Sequence, residues 1–248
     1  MFDIKLNEPK LLNSTIGIIS DFITEASFLI TKEGIKLIAM DPANISMVVL
    51  NLLPSAFTQY SVESPEEITI NLDSLKQAFK RAKPTDSLAL TLEKNKLKIT
   101  ILGKSTKKFY IPLLEKEGKE RKIPSLEFSA IIELDANEFQ DYVEDASVVG
   151  DALTIEASPE AFVLSAGDAG SRVDIELKKG NEALVSFSVK ESARSIYSVE
   201  YLRKMAKSSS LASTAKIQFK SDYPLRLDFK ALDKAQMSFI LAPRIETK

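Results

Sequence analysis

The chain consists of two copies of one pattern, and this repeat limits its possible folds more than any other feature. Residues 25–41, EASFLITKEGIKLIAMD, align with residues 152–168, ALTIEASPEAFVLSAGD, at an offset of 127 and with the same alternation of apolar and polar positions. The same offset places DSLKQAFK, residues 73–80, on EYLRKMAK, residues 200–207. With one residue of slippage, two strand-like segments also match: 97–101 with 225–229, and 109–113 with 237–241. A tandem duplication of a unit slightly under half the chain is therefore predicted.

Each unit is expected to contain two amphipathic helices among antiparallel strands. The first helix spans about Pro9–Phe22, where apolar residues follow the helical period. The second begins at Asp73, a favourable N-cap residue, and ends before Pro84. In the second unit, helices are predicted from Asp135 and from about Ser198. The predicted fold class is α+β, with two helices on one face of antiparallel sheets in each of two tandem domains.

A charged segment separates the two units. Residues 114–128, LEKEGKERKIPSLEF, lack periodicity and contain Gly118 and Pro124, which is typical of an extended linker. Ile123 and Leu126 are apolar, so we expect them to lie against a surface. The predicted organisation is a first domain at 1–114, a connecting linker at 115–127 and a second domain at 128–248.

Composition disfavours several functions. The 248 residues include no cysteine, which excludes disulfides and thiolate metal sites, and no histidine, the commonest general base. We expect no catalysis, no metal and no cofactor. No apolar run approaches the roughly 20 residues of a spanning helix, so a cytoplasmic protein without a membrane partner is expected. A net charge of -2 does not by itself indicate nucleic-acid binding.

The acidic residues leave an enzymatic alternative open. Asp41 and Asp168 occupy equivalent places in the two units, as paired carboxylates of an enzyme would require, but turn residues at strand ends explain them better. GDAGSR, residues 167–172, is interpreted as a turn because it lacks a phosphate-loop ending. The acidic side chains of the third helix are interpreted as a solvated face: Glu138, Asp141, Glu144 and Asp145.

Basic residues are gathered on the second helix of each unit. Lys76, Lys80 and Lys83 have i, i+4, i+7 spacing and therefore share one helical face. Arg203, Lys204 and Lys207 repeat this arrangement. A duplicated basic face on a chain of negative net charge favours a polyanion backbone contacted without base reading.

Five motifs together resemble one known family. They are AMDPANISMV at 39–48, RKIPSLEF at 121–128, SVEYLRKM at 198–205, DYPLRLDF at 222–229 and FILAPRIE at 239–246. The chain resembles, over its whole length, the DNA sliding clamp family of archaea and eukaryotes, the proliferating cell nuclear antigen family, and particularly its archaeal form. The resemblance implies a DNA polymerase processivity factor with the DNA clamp fold, in a cytoplasmic, nucleoid-associated setting.

The resemblance also implies partners and sites. It implies three subunits closing into a ring around duplex DNA, with the six basic residues above facing the DNA and a homotrimer favoured. A subunit interface is implied between strands near Phe109, Ile111 and Leu113 and strands near Val173, Ile175 and Leu177. A pocket for short peptide motifs of DNA polymerase, flap endonuclease, DNA ligase and clamp loader is implied at Met40, Asn44, Ile45, Met47, Ile123, Pro124, Pro224, Leu241, Ala242 and Pro243.

The sequence departs from the family on its other two helices. Asn13, Ser14 and Ser20 on the first helix, and Asp141 and Glu144 on the third, stand where basic residues are common in the family. This departure keeps two alternatives open. One is a subunit found only in mixed rings, and the other is a checkpoint-type ring subunit without the general partner role.

Overall fold

The chain divides into two compact units, in a computed structural model that describes residues 1–115 and 121–245. The first unit comprises Met1–Pro42, Val48–Lys122 and Ala231–Gln236. The second comprises Ala43–Met47, Ile123–Lys230 and Met237–Lys248. Each unit thus includes a short segment that the sequence places in the opposite half. Residues 116–120 of the predicted linker lie outside the described residues.

The first half of the chain forms two helices and nine strands. In chain order they are β1 (Phe2–Leu6), α1 (Lys10–Ile19), β2 (Glu25–Thr31), β3 (Gly34–Met40), β4 (Ser46–Leu52), β5 (Gln59–Val62), β6 (Glu66–Asn71), α2 (Leu72–Phe79), β7 (Ser87–Glu93), β8 (Lys96–Leu102) and β9 (Thr106–Pro112). One antiparallel sheet has the order β5-β1-β7-β8-β9, and a second group has the order β4-β3-β2-β6. A single 3₁₀ turn, Pro54–Ala56, precedes β5.

The second half repeats these elements. They are β10 (Ala130–Asp135), α3 (Ala136–Val149), β11 (Ala152–Ala157), β12 (Ala161–Gly167), β13 (Arg172–Lys178), β14 (Leu184–Val189), β15 (Ala193–Ser198), α4 (Val199–Ala206), β16 (Thr214–Phe219), β17 (Leu225–Ala231) and β18 (Ala235–Leu241). A 3₁₀ turn, Lys207–Ser210, follows α4. The strands are ordered β14-β10-β16-β17-β18 and β13-β12-β11-β15.

Element by element, the two halves have one topology. β1 corresponds to β10, β5 to β14, β8 to β17 and β9 to β18, and the second group matches in the same way, with β4 corresponding to β13. The prediction of an α+β fold with two tandem similar units is confirmed. The correspondence also shows that the 127-residue offset in the sequence reflects repeated structure.

Apolar helix faces supply the core of each unit. In the first unit α1 contacts α2, and Leu12, Ile16 and Phe79 are almost fully buried. In the second unit α3 contacts α4, and Phe139 and Leu202 are fully buried. Burial of one such side chain stabilises the fold by roughly 1.5–3 kcal/mol, so these stripes hold the helices on the sheets.

Both helices of the first unit are shorter than predicted. α1 ends at Ile19 rather than Phe22, because the following amides bond three residues back: the Phe22 N–H donates to the Ile19 carbonyl at 3.0 Å. For α2, the N-cap is Asn71 and not Asp73, since the Asn71 side chain accepts from the Ser74 N–H at 2.9 Å. Asp73 lies in the first turn instead, where its negative charge favours the helix dipole.

The end of α2 changes the place of two predicted site residues. The helix ends at Phe79, several residues before Pro84. Lys80 is its C-cap and Lys83 lies in the turn beyond, so the prediction that Lys76, Lys80 and Lys83 share one helical face is wrong for Lys83. The helix stops early because the Arg81 and Ala82 amides bond three residues back rather than four.

Candidate nucleic-acid and partner-binding surfaces

The basic residues of α2 and its following turn differ in their partners. The Lys76 ammonium donates to the Ser20 hydroxyl at 2.8 Å and lies 3.9 Å from an Asp21 carboxylate oxygen. Lys80 and Lys83 are exposed, and no carboxylate of the described ranges forms an ion pair with either. We call Lys80 and Lys83 the α2 basic surface. Its charge is available to an external anion.

The equivalent residues of α4 are largely paired within the protein. The Arg203 guanidinium donates to Glu144 on α3 at 2.8 Å, and this hydrogen bond and charge raise the pKa of Arg203. The Lys204 ammonium lies 2.7 Å from Glu200, one turn earlier, and 5.2 Å from the centre of the Tyr201 ring. Both pairs are at least partly exposed, so each contributes little to stability, but each lowers the net positive charge of this surface.

β9 and β13 are two of the strands that lie at sheet edges in the described residues. β9 ends the five-stranded sheet of the first unit, and β13 ends the four-stranded group of the second. Along both strands exposure alternates in the same order, and the last inward side chain of each, Ile111 and Leu177, is buried. An open edge presents unpaired N–H and C=O groups and can pair with another strand.

The predicted interface residues lie along these edges. Phe109 and Ile111 are on one face of β9, and Leu113 follows that strand, where its N–H donates to the Asn95 carbonyl at 3.1 Å. Val173, Ile175 and Leu177 share one face of β13. Among the outward positions, β9 carries Lys108, and β13 carries Asp174 and Glu176 together with Arg172 and Lys178.

Part of the predicted peptide pocket is brought together in the second unit. The Ala242 N–H donates to the Ile45 carbonyl at 2.9 Å, which joins the segment Ala43–Met47 to the residues that follow β18. Asn44 makes the corner with a φ of 56°, a left-handed conformation that asparagine tolerates better than most residues. Ile45 is 40% exposed and presents an apolar side chain to solvent.

The remaining predicted pocket residues divide into exposed and buried groups. Ile123 is 43% exposed and Pro124 is also exposed, whereas Met47 and Leu241 are buried. Pro224, Ala242 and Pro243 are half-buried. Met40 ends β3, is half-buried and belongs to the first unit. Ile45 and Ile123 are therefore the side chains of this set with the most apolar surface open to a partner.

Residues outside the predicted site set support the part of the predicted peptide pocket near Pro224. The Tyr197 hydroxyl donates to the Tyr223 carbonyl at 2.7 Å, and burial raises the pKa of Tyr197, so this donor keeps its proton. The Phe128 and Tyr223 rings meet edge to face at 6.3 Å. Both contacts hold the turn that carries Pro224. An OH donor aimed at a carbonyl 26 residues away has no local sequence signature.

The C-terminal segment is anchored by one arginine. The Arg244 N–H donates to the Ile196 carbonyl at 2.7 Å, and its guanidinium lies 2.9 Å from an Asp151 carboxylate oxygen. The hydrogen bond and charge of Arg244 lower the pKa of Asp151. These contacts fix both ends of the Ala242–Arg244 segment, since Ala242 bonds to Ile45 and Arg244 to Ile196.

The carboxylates do not form a metal-holding cluster in the part of the chain that the structure describes. Asp168 makes a turn, as predicted, by accepting from the Gly170 N–H at 2.8 Å between β12 and β13. Asp41 is buried at the end of β3. Within the described ranges, no group of three or more acidic residues has a metal-holding arrangement, and no helix is long and apolar enough to cross a membrane.

Family models and relatives of known class match nearly the whole chain. Two family models cover nearly the whole chain: proliferating cell nuclear antigen, N-terminal domain, over residues 1–116, and its C-terminal domain over residues 122–244. The DNA polymerase sliding clamp of Nanoarchaeum equitans is 41% identical over 96% of this chain and 97% of its own. That of Pyrococcus furiosus is 36% identical over 99% of each chain.

Solved structures agree with this class. Proliferating cell nuclear antigen from Thermococcus kodakaraensis superposes with a TM-score of 0.92 at 32% identity, covering 98% of this chain and 100% of that one. A chain of the PCNA2–PCNA3 complex from Sulfolobus tokodaii gives a TM-score of 0.90 at 25% identity, covering 98% of this chain and 99% of that one. Two topologically equivalent antiparallel units with paired helices define the class of DNA clamp folds. The chain belongs to the proliferating cell nuclear antigen family.

Proposed function

We propose that the chain is a subunit of a DNA polymerase sliding clamp, a non-catalytic processivity factor that encircles duplex DNA and tethers replication and repair enzymes. The observation that carries this proposal is the repeated topology with two open edges, β9 and β13, on one chain. Relatives named DNA polymerase sliding clamp match it end to end, which supports the same role here.

Ring closure follows from the position of the two open edges. β9 and β13 are the repeat counterparts of β18 and β4, and residues flanking that second pair are already joined by the Ala242–Ile45 hydrogen bond. By analogy, β13 of a second copy would pair with β9. Because the two edges differ, the contact is head-to-tail, and such contacts close into rings when the rotation permits.

Interface chemistry supports pairing of these two edges in particular. Pairing would put the apolar rows of Phe109 and Ile111, and of Val173 and Ile175, on one face of a continuous sheet. The outward rows would bring Lys108 towards Glu176, and opposite charges on facing strands are favourable. Since one chain carries both edges, a homotrimer needs no other component.

The basic residues are proposed to face the encircled duplex. Lys76, Lys80, Lys83, Arg203, Lys204 and Lys207 lie on or directly after the second helix of each unit. Ammonium and guanidinium groups contact phosphates without reading sequence, which suits a ring that must slide. Topological linkage would retain the ring, so tight contacts are unnecessary.

The apolar groove is proposed to take short partner motifs, a glutamine followed by an aliphatic residue and two aromatics. Ile45 and Ile123 supply exposed apolar surface for such a motif. Within the described part of the chain, residues 121–127 belong to no strand, so their backbone is open to an extended peptide. DNA polymerase, flap endonuclease, DNA ligase and clamp loader are the proposed partner classes.

One observation favours a second possibility, a ring that includes different chains. The pairing of Arg203 with Glu144 removes free positive charge from the second unit. The structurally similar Sulfolobus tokodaii chain comes from a PCNA2–PCNA3 complex. A partner chain with more basic helices would complement this subunit.

Light scattering on the purified chain tests the assembly. A homotrimer predicts a molar mass about three times that of the 27.5 kDa chain. Phe109→Asp, in the β9 edge, is expected to shift the mass to that of a monomer, while the control Leu53→Asp leaves it unchanged. A monomer that trimerises only with a second clamp chain would support the mixed ring, and a monomer under all conditions would contradict both.

A further inference from the structure

A cavity of about 230 Å³ opens in the first unit beside the end of α2. One wall is the turn that carries Lys83 and Thr85, and the other is the hairpin between β8 and β9, with Lys104 and Ser105. Lys107 closes the side from β9. We call these five residues the hairpin pocket. Of these five residues, the proposed function so far assigns a role to Lys83 alone.

Close packing of the hairpin on Asp86 fixes the pocket. Asp86 is buried, and its carboxylate accepts from the Lys83 N–H at 2.9 Å. A Cβ added to Gly103 would lie 2.1 Å from the Asp86 Oδ1 atom, so only glycine permits this approach. Asp86 thus holds the turn that carries Lys83, and Gly103 allows the hairpin to approach it closely.

The pocket carries an excess of positive charge. Lys83 and Lys104 are exposed, and neither has a carboxylate partner in residues 1–115 and 121–245. The Lys107 ammonium donates to the Arg81 carbonyl at 3.4 Å, which draws it towards the turn. Three lysines and a single carboxylate residue, Asp86, line the pocket, and Thr85 and Ser105 add two side chains with hydroxyl groups.

These donors match a phosphate group. A phosphate presents several acceptor oxygens and a negative charge, and ammonium groups bind it as point charges while hydroxyls complete its hydrogen bonds. A cationic ligand would be repelled by the three lysines, and a neutral ligand would gain nothing from their charge. Acidic side chains are the other class that would fit.

We propose that the hairpin pocket binds a backbone phosphate of DNA, so that the first unit contacts the duplex through its β8–β9 hairpin as well as through α2. This assignment rests on the proposed sliding clamp function. Lys83 belongs both to the α2 basic surface and to the pocket, so the two sites form one continuous basic surface. On α4, by contrast, two of the positively charged residues pair with Glu144 and Glu200.

The test compares two double variants that lose the same charge. Lys104→Gln with Lys107→Gln removes two pocket ammonium groups, and Lys104→Gln alone serves as a variant without any lost internal contact. The control is Lys94→Asn with Lys96→Gln, at the opposite end of β8, roughly 20 Å away at the rise of a strand. Binding of the assembled protein to a short fluorescent duplex is titrated from 20 to 200 mM salt.

The pocket variant is expected to bind about tenfold more weakly at low salt, and its plot of log affinity against log salt should be shallower by about 1 for each pocket engaged. The control should follow the wild type. Equal slopes for the pocket variant and the wild type would overturn the proposal.

Two further arms identify the occupant. Inorganic phosphate is titrated in place of DNA and followed by NMR shifts at Lys104 and Thr85. Binding of inorganic phosphate with no change in duplex affinity would assign the pocket to free phosphate and contradict the DNA assignment. Loss of the assembled mass in light scattering, with an unchanged salt slope, would assign it to acidic side chains of a neighbouring copy.

The outcome is separable from that of the proposed function. If the wild-type protein neither assembles nor binds duplex, the sliding clamp proposal fails. If the wild type assembles and binds but the pocket variant binds equally well, only the hairpin pocket fails.

Discussion

The two units share one topology but present different surfaces. The comparison shows that the core of the duplicated unit is retained while its surface residues change. Both units keep helix pairs with apolar faces on antiparallel strands, because loss of one buried side chain costs several kcal/mol. Their surfaces have diverged. After α2, neither Lys80 nor Lys83 has a carboxylate partner among residues 1–115 and 121–245, whereas on α4 Arg203 and Lys204 are paired with Glu144 and Glu200.

The second unit differs from the first in carrying most residues of the proposed partner groove. Its segments Ala43–Met47 and Ala242–Arg244 are held by the Ala242–Ile45 and Arg244–Ile196 hydrogen bonds, and they carry residues of the proposed partner groove. In the proposed clamp, the first unit thus contributes more of the charge for DNA, and the second contributes more of the surface for partners. A surface residue changes at little cost in stability, so divergence is concentrated there.

The largest effect is expected from Ile123→Asp in the groove. A carboxylate at an apolar contact must lose water without gaining a partner, so affinity for a peptide with a glutamine, an aliphatic residue and two aromatics should fall at least about 100-fold, or about 2.8 kcal/mol. Titration calorimetry measures this. The control Leu53→Asp alters a side chain of similar exposure in the first unit and should have no effect. Unchanged peptide affinity of Ile123→Asp would contradict the proposed groove.

Charge reversal in the two units should have unequal effects. Lys80→Glu with Lys83→Glu is expected to lower duplex affinity at low salt by at least about tenfold, since two free phosphate contacts become repulsive. Arg203→Glu with Lys204→Glu is expected to change it less, because these two groups are already partly neutralised. Titrations over a salt series compare the variants. Equal losses would contradict the asymmetry between the units.

Removal of the carboxylate that pairs with Arg203 is expected to raise duplex affinity rather than lower it. Glu144→Gln leaves Arg203 without its carboxylate and is expected to raise duplex affinity a few-fold, with a steeper salt dependence by about 1. Glu138→Gln removes an acidic residue from the same helix without touching this ion pair and is the matched control. An equal gain in both variants would indicate only a change in net charge.

The smallest effect concerns acid and the C-terminal anchor. Because Arg244 lowers the pKa of Asp151 below its ordinary 3.8, the pair stabilises the segment at neutral pH and above that ordinary value. The contribution is lost as pH falls through the lowered folded-state pKa. Hydrogen exchange at the Arg244 amide should therefore show less protection below about pH 3 than at pH 6, after correction for intrinsic rates.

Asp151→Asn provides the control for this pH dependence. It should show the reduced protection already at pH 6 and little further change on acidification. A wild-type protection factor that stays constant down to pH 2 would contradict a role for the Asp151–Arg244 pair.

The fold was largely predictable because its signal is repeated. Alternating strands and apolar helical stripes appear in both halves at an offset of 127 residues, so a weak pattern in one half is supported by the same pattern in the other. Strand β15, Ala193–Ser198, was not predicted, since ARSIYS mixes polar and small residues, and neither was β6. Helix ends were wrong where three-residue backbone bonds replaced helical ones, a choice that side-chain type does not determine.

The site surfaces were less predictable because they depend on contacts between distant residues. Helical spacing identified the basic residues, but not that Glu144 would reach Arg203 from another helix. The Tyr197–Tyr223 hydrogen bond and the hairpin pocket likewise depend on which strands lie side by side. Placement of the DNA-facing, groove and interface residues remains a prediction that the variants above test.

The most direct measurement of the central claim is retention on DNA of two topologies. The protein is loaded with an archaeal clamp loader and ATP onto nicked circular DNA, separated by gel filtration, and then treated with an enzyme that cuts the circle once. Encirclement predicts that the protein stays with the circle in high salt and is released by cutting. Equal retention before and after cutting, or release from the intact circle in high salt, would contradict it.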